Sequence, residues 1–388
     1  MSKITDRIRY IGVNDYSTEL FEGLWPLPFG VSYNSYLVID EKIALIDTVE
    51  KGFDLEFLEN IREEIGDRVI DYLIINHMEP DHSALIALMK ETYPEMRLVC
   101  SQRAVPMIEG YYGIASDGIT AVRDGDSISL GSTSLTFHMV PMVHWPETMV
   151  TWMAEEGTLF SGDAFGSFGA LKNGITDREA DFMKDEMIRY YADIVGKYGP
   201  AVQAAIKKLS GLEIKRICST HGPVWEERIA EVISIYDRLS KYEADHGVCI
   251  AYGSMYGNTA KAAHALAREL ETLGIPYAIH DLNGYGAISE ALRDVFKYDT
   301  LVIGSPTYNG AVFPPADAFM RAVGARQVKG RRFFSFGSFT WAAASVRILD
   351  EMAASYGFEL IAPGKTFPQA YSKEKCDMAA LAKTIQSA

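Results

Sequence analysis

Two kinds of hydrophobic pattern divide the chain. Up to about residue 240, short apolar runs are broken by Gly, Asp and Asn, as at 35–39, 43–46, 72–75 and 135–140. Runs of this length between turn residues read as strands. Helical periodicity falls between them at 54–65 and 83–91, and a longer helical stretch covers 225–244. Such mixing predicts an α/β sandwich with antiparallel or mixed sheets. From Val248 onward the alternation becomes regular: strands at 248–252, 277–280, 300–305 and 332–336 are separated or followed by helices at 259–273, 288–296, 315–323 and 341–356. Repeated β-α-β units predict a doubly wound parallel sheet with ligands at the carboxyl ends of its strands. The pair His246-Gly247 marks the junction, giving domains of 1–245 and 246–388.

Composition agrees with two packed domains. A chain of 388 residues exceeds what one core usually supports, and its 48% hydrophobic content supplies material for two. A net charge of −15 argues against nucleic acid, which requires basic surface. The cysteines (Cys100, Cys218, Cys249 and Cys376) form no CxxC pair. This excludes a rubredoxin-like or zinc-ribbon module and predicts reduced, buried thiols. The opening residues lack the apolar stretch of a signal peptide, and no apolar run is long enough to span a bilayer. The expectation is a cytoplasmic protein.

The densest chemistry follows the apolar run 72–75. His77, Glu79, Asp81 and His82 form His-x-Glu-x-Asp-His, which delivers four metal-binding side chains to one strand end. Imidazole suits zinc, copper and iron; added carboxylates and no thiolate shift the preference toward iron or manganese. His144, Asp163 and His221 also follow strand-like runs, where a scaffold holds a ligand rigidly. Seven such ligands exceed one four-coordinate ion and suit two metals that share a carboxylate.

A second constellation opens the helix after 248–252. Ser254, Met255, Tyr256, Gly257, Asn258 and Thr259 offer hydroxyls, a glycine and backbone N–H groups at a helix N-terminus, an anion cradle without lysine. Neither a P-loop nor GxGxxG is present. Two further loops follow parallel strands and face the same edge: Pro306, Thr307, Tyr308, Asn309 and Gly310, then Gly337, Ser338, Phe339 and Trp341. Tyr308 and Trp341 offer stacking surfaces.

These motifs carry a resemblance. Residues 1 to about 245 resemble a metallo-β-lactamase-type αββα domain, whose hydrolytic members carry His-x-His-x-Asp-His; here Glu79 stands at the second histidine. With His144, Asp163 and His221 in order, that is the signature of the flavodiiron proteins. Residues 247–388 resemble flavodoxin, whose phosphate loop binds FMN. The resemblance implies that His77, Glu79 and His144 bind one iron, that Asp81, His82 and His221 bind the other, and that Asp163 bridges. It implies reduction of O₂ to water, of NO to N₂O, or both, with FMN relaying electrons. It also implies a head-to-tail homodimer, or a dimer of dimers, in which the flavin of one subunit faces the irons of the other. Because no rubredoxin or reductase domain follows, the expected donor is a separate rubredoxin-type protein or a reduced deazaflavin.

Three positions depart from this pattern or add to it. Glu22 stands where several relatives place a histidine near the iron pocket, and Tyr190 and Tyr191 match a stretch that reaches toward it. Two other classes compete: a zinc hydrolase with an appended flavodoxin, which Glu79 disfavours, and an electron carrier with a decayed metal site, which the complete ligand set disfavours.

Overall fold

The computed structural model describes residues 2–181 and 183–387. The chain divides into two compact units, one of residues 1–190 and 200–237, the other of 191–199 and 238–388.

The first unit is built on two sheets. One runs in chain order: β1 (Ser2–Lys3), β2 (Ile8–Tyr10), β3 (Tyr36–Ile39), β4 (Ile43–Ile46), β5 (Tyr72–Ile75), β6 (Arg97–Ser101) and β7 (Ile119–Val122). It is antiparallel up to β4 and parallel from β4 to β7. The second sheet holds β8 (Ser127–Ser129), β9 (Ser134–Met139), β10 (Met149–Met153), β11 (Thr158–Gly162) and β12 (Arg216–Ser219), antiparallel except for the pair β11–β12. Period-2 alternation sends Val38, Ile46, Ile74 and Val99 of one sheet and Phe137, Met149 and Phe160 of the other into a shared core. Alternate residues of the first sheet, Leu37, Leu45, Leu73 and Leu98, are also fully buried, so that sheet is covered on both faces. The mixed sandwich expected from the pattern is the one observed.

Two helices differ from the reading of the sequence. The span 83–91 is broken into a short turn of helix, α2 (Pro80–Ser83), and α3 (Ile86–Thr92), which follow α1 (Asp54–Ile65). The break has a tertiary cause: Thr48 donates through N and Oγ1 to the His82 carbonyl and accepts from the Leu85 N–H. These tertiary bonds outrank helical continuity. The span 225–244 is helical only over Ile229–Ser240. Ahead of it, the Asp177 carboxylate accepts N–H bonds from Glu226, Glu227 and Arg228, while Trp225 bridges to Ile217.

The second unit has a parallel sheet of β13 (Asp245–Tyr252), β14 (Tyr277–Asp281), β15 (Tyr298–Gly304), β16 (Arg332–Phe339), β17 (Glu359–Leu360) and β18 (Lys365–Pro368). The order is β14-β13-β15-β16, with β17 and β18 both paired to β16. This is the 2-1-3-4-5 winding of flavodoxin-like folds, with its switch point between β13 and β15. Helix Asn258–Thr272 packs Ala262, Leu266 and Leu270 against Val248, Ile250 and Phe336 on one face. The buried Cys249 Sγ lies against the Ala291 carbonyl of helix Ala287–Lys297 on the other. Each fully buried Leu here contributes about 1.5–3 kcal/mol, so a charge at Leu266 would break the layer.

Candidate functional site

All seven predicted metal-binding residues converge at one edge of the first unit. His77, Glu79, Asp81 and His82 follow the carboxyl end of β5; Asp163 and His221 follow β11 and β12, which run parallel. His144 lies in the connection from β9 to β10, antiparallel to β11 and so at the same edge. Strand β11 shifts register against β12 between Phe160 and Gly162, and Gly162 takes φ 57°, which a side chain resists. That kink aims Asp163 inward.

The side chains sort into two groups, His77, Glu79, His144 and Asp163 in one and Asp81, His82 and His221 in the other, each with donor atoms within 4.8 Å of one another. Asp163 faces both. Its Oδ2 lies 3.0 Å from His144 Nε2 and 3.5 Å from His77 Nε2. Its Oδ1 lies 2.9 Å from His82 Nε2 and 3.7 Å from His221 Nε2. Glu79 Oε2 sits 3.0 Å from His144 Nε2 and 3.3 Å from His77 Nε2, and Asp81 Oδ2 lies 3.2 and 3.3 Å from His82 and His221. Donors that each stand about 2.1 Å from one ion are separated by about 3.0 Å at a right angle, so these spacings fit a shared cation.

The satisfaction of polar atoms points the same way. Both carboxylate oxygens of Asp81, both ring nitrogens of His82 and Nε2 of His221 are buried with no hydrogen bond among the described residues. Buried polar atoms are normally paired, and unpaired ones converging on a point are donors that a cation would satisfy. Burial pushes the Asp81 carboxyl up to about 8. Burial also opposes the charge of Asp163, but the surrounding histidines, His82 foremost, hold it well below the usual carboxylate range.

An outer layer fixes the donors, and much of it escaped the sequence reading. His77 Nδ1 donates to Glu147 Oε1 at 2.8 Å, and the same oxygen accepts the Met78 N–H at 3.0 Å. His221 Nδ1 donates to the Ser32 carbonyl at 2.8 Å, and Thr220 Oγ1 donates to Asp163 Oδ1 at 2.6 Å. The Trp145 ring stands edge-on to His77, with centroids 5.2 Å apart. The run Trp145-Pro146-Glu147, a carboxylate in a turn just after His144, was the available signal.

Of the three extra positions, two reach the pocket. Glu22 lines a cavity of about 470 Å³ with Phe21, Tyr33, Glu79 and Asp81. Its carboxylate accepts from Trp25 Nε1 at 2.9 Å, and burial together with the neighbouring Glu79 charge pushes it up to about 7. The Tyr190 ring lies 5.4 Å from His221. Tyr191 instead packs edge-on to Phe296 within the second unit.

The second unit has its own pocket of about 400 Å³ at the carboxyl ends of β13, β15 and β16. Ser254, Met255, Tyr256, Asn258, Thr259, Pro306, Thr307, Tyr308, Asn309, Gly310, Ser338, Phe339 and Trp341 line it, and so do Thr340, Ala342 and Gln369, which the sequence does not single out. Gly257 and Gly337 shape the pocket instead of lining it. Gly257 turns the cradle at φ 81°, and a Cβ on Gly337 would stand 2.1 Å from the Ser305 carbonyl. Tyr256 and Trp341 are each 89% exposed beside this hollow, uncovered aromatic faces that suit a planar ring system. Hydroxyls of Ser254, Thr259, Thr307 and Ser338 supply the polar contacts such a ligand needs.

Comparison with known proteins adds to this geometry. The chain matches the ODP family beta lactamase over residues 31–222 and flavodoxin over residues 250–379. It is 30% identical over 381 residues to the nitric oxide reductase of Moorella thermoacetica, covering 96% of this chain and 95% of that one. The solved structure of the rubredoxin oxygen:oxidoreductase from the anaerobe Desulfovibrio gigas superposes with a TM-score of 0.92 at 28% identity, over 99% of this chain and 96% of that chain. The flavodiiron protein from Giardia intestinalis gives 0.93 at 27%, with the same coverages of 99% and 96%.

Proposed function

The chain belongs to the flavodiiron protein family, and from that membership and its twofold pocket we infer an oxidoreductase that reduces O₂ to water, NO to N₂O, or both. The reaction runs at a non-haem diiron site, with electrons relayed through FMN from an external donor. The observation that carries this reading is Asp163, which turns one oxygen to each of two donor groups. His77, Glu79 and His144 would hold one iron and Asp81, His82 and His221 the other, with Asp163 turned to both. When bound, the iron pair supplies electrons and open positions for a diatomic, and FMN supplies electrons singly.

The residues themselves prepare the site. Glu147 and the Ser32 carbonyl fix the rings of His77 and His221, so each presents Nε2 inward. Phe21 and Tyr190 stand against His221, with centroids 5.4 Å away in each case, and Trp145 stands against His77, walls that limit water around an uncharged substrate. Glu22, beside Glu79 at the cavity, is raised by burial and by that charge to about 7, so it exchanges a proton near the site around neutral pH. In the second unit the cradle from Ser254 to Thr259 would take the FMN phosphate, and Tyr308 and Trp341 would offer stacking faces to its ring.

The external donor is a rubredoxin-type protein or a reduced deazaflavin. The first is supported by the D. gigas relative, a rubredoxin oxygen:oxidoreductase. The working assembly is a head-to-tail homodimer, or a dimer of such dimers, and its functional domains are 1–245 and 246–388. No helix among the described residues is long and apolar enough to cross a membrane, which accords with a cytoplasmic site of action.

The test is anaerobic reduction of metal-quantified protein, following O₂ and NO separately with reduced rubredoxin as donor. About two irons and one FMN per chain with rapid consumption of either gas is the expected result. Zinc in place of iron, or flavin reduction without gas consumption, would overturn it.

A further inference from the structure

We propose that Glu147 makes the two metal positions unequal, so that the His77 position binds a divalent cation more tightly and favours the higher charge; the proposal rests on the diiron reading above. The donors themselves are balanced. Each position has two imidazoles and one carboxylate of its own, His77, His144 and Glu79 against His82, His221 and Asp81, with Asp163 turned to both. Any inequality must come from outside that set.

Behind His77 stands a carboxylate. Glu147 is 2% exposed, its Oε1 accepts from His77 Nδ1 at 2.8 Å, and its Oε2 is buried without a hydrogen bond among the described residues. At the other position His221 Nδ1 meets a neutral carbonyl, that of Ser32, at 2.8 Å, and His82 Nδ1 has no hydrogen bond among the described residues. A carboxylate on the remote nitrogen makes an imidazole a more basic ligand and adds a negative charge close to the ion; a carbonyl fixes the ring without adding charge. Glu147 is also held against rotation. The Met78 N–H donates to the same Oε1 at 3.0 Å, and Arg103 Nη1 donates to the carbonyl of the adjoining Pro146 at 3.2 Å. Glu147 is thus a positioning residue that carries charge.

Glu147→Gln separates these two roles, because its amide oxygen still accepts from His77 while the charge is gone. Metal-stripped protein is titrated with Co(II) alone, following the visible ligand-field bands and the bound metal per chain. The native protein should fill in two separable steps. In E147Q the tighter step should weaken by about 10–100-fold while the weaker one stays unchanged, and Glu147→Asp, which keeps the charge, should fall between. In iron-loaded protein, a potentiometric titration followed by electron paramagnetic resonance should show the gap between the two one-electron potentials narrowing in E147Q. Two equal Co(II) steps, or steps that E147Q leaves alone or weakens equally, would overturn this proposal while leaving the diiron reading standing. A native protein that takes up only one metal per chain would overturn both.

Discussion

At the scale of single residues, the metal-binding pocket is a set of charges that need an ion. Without one, the histidines and carboxylates can only neutralise each other by sharing protons. Burial pulls the His144 pKa down from 6.5, but hydrogen bonds to Asp163 and Glu79 outweigh it and lift the group to about 9. Asp81 is raised to about 8, chiefly by burial. Both folded-state values lie above those of the unfolded chain. Relative to the unfolded chain, the Asp81 contribution is therefore lost as pH rises from 3.8 to about 8, where burial penalises the charged carboxylate, and the His144 contribution as pH rises from 6.5 to about 9. The metal-free protein should lose stability from pH 6.5 to 9, His144 alone accounting for roughly 3 kcal/mol. Metal reverses the sense, because ligands must be deprotonated to bind and uptake releases protons. Denaturant unfolding of chelator-stripped and metal-loaded protein across this range checks both statements. A metal-free stability that stays flat or rises would contradict the charge-sharing account.

Secondary-structure elements set how well these residues are held, and here Asn76 matters most. Its N–H and Nδ2 donate to the two oxygens of Asp47 at 2.7 and 3.0 Å, its Oδ1 accepts from Thr151 at 2.7 Å, and its carbonyl accepts the Met149 N–H at 3.0 Å. One side chain thus ties the end of β5 to β10 across the sandwich, immediately before His77. Asn76→Leu leaves the buried Asp47 and Thr151 groups unpaired and should cost about 2–4 kcal/mol, read as a lower urea midpoint with an unchanged slope. On the second unit, Gly337→Ala should push β16 from the Ser305 loop and lower the FMN retained after gel filtration, since its Cβ would meet the Ser305 carbonyl at 2.1 Å; full retention would show that the strands yield without cost. The same elements explain what the sequence could and could not reveal. His77, His144, Asp163 and His221 were legible because an apolar run followed by a ligand is a local pattern. Glu147 was missed because its role is defined by a residue 70 positions away, and the break at Ala84-Leu85 because Thr48 causes it from across the fold. The place of Gly337 in a loop points to a cofactor contact; its close approach to the Ser305 carbonyl is a tertiary feature that no local pattern shows.

On the scale of the whole molecule, the proposed head-to-tail homodimer makes a claim that neither unit makes alone: each flavin should serve the irons of the other subunit. Two variants isolate the halves. Asp163→Asn removes the charge that faces both donor groups, and Ser254→Glu sets a negative charge in the phosphate cradle. Either homodimer should be inactive, one without irons and the other without flavin, with both chains otherwise folded. A mixed dimer, isolated through different tags, contains one subunit with only flavin and one with only irons. A closed two-fold arrangement then leaves one complete flavin–iron pair of the original two, so about half the native rate should return. Transfer within a subunit would leave no complete pair, and the mixed dimer would be as inactive as its parents. Metal and flavin content, measured on the same sample, guards against exchange of cofactors between chains. An inactive mixed dimer with half its irons and half its flavin would therefore refute the head-to-tail arrangement while leaving the chemistry of the iron pocket untouched.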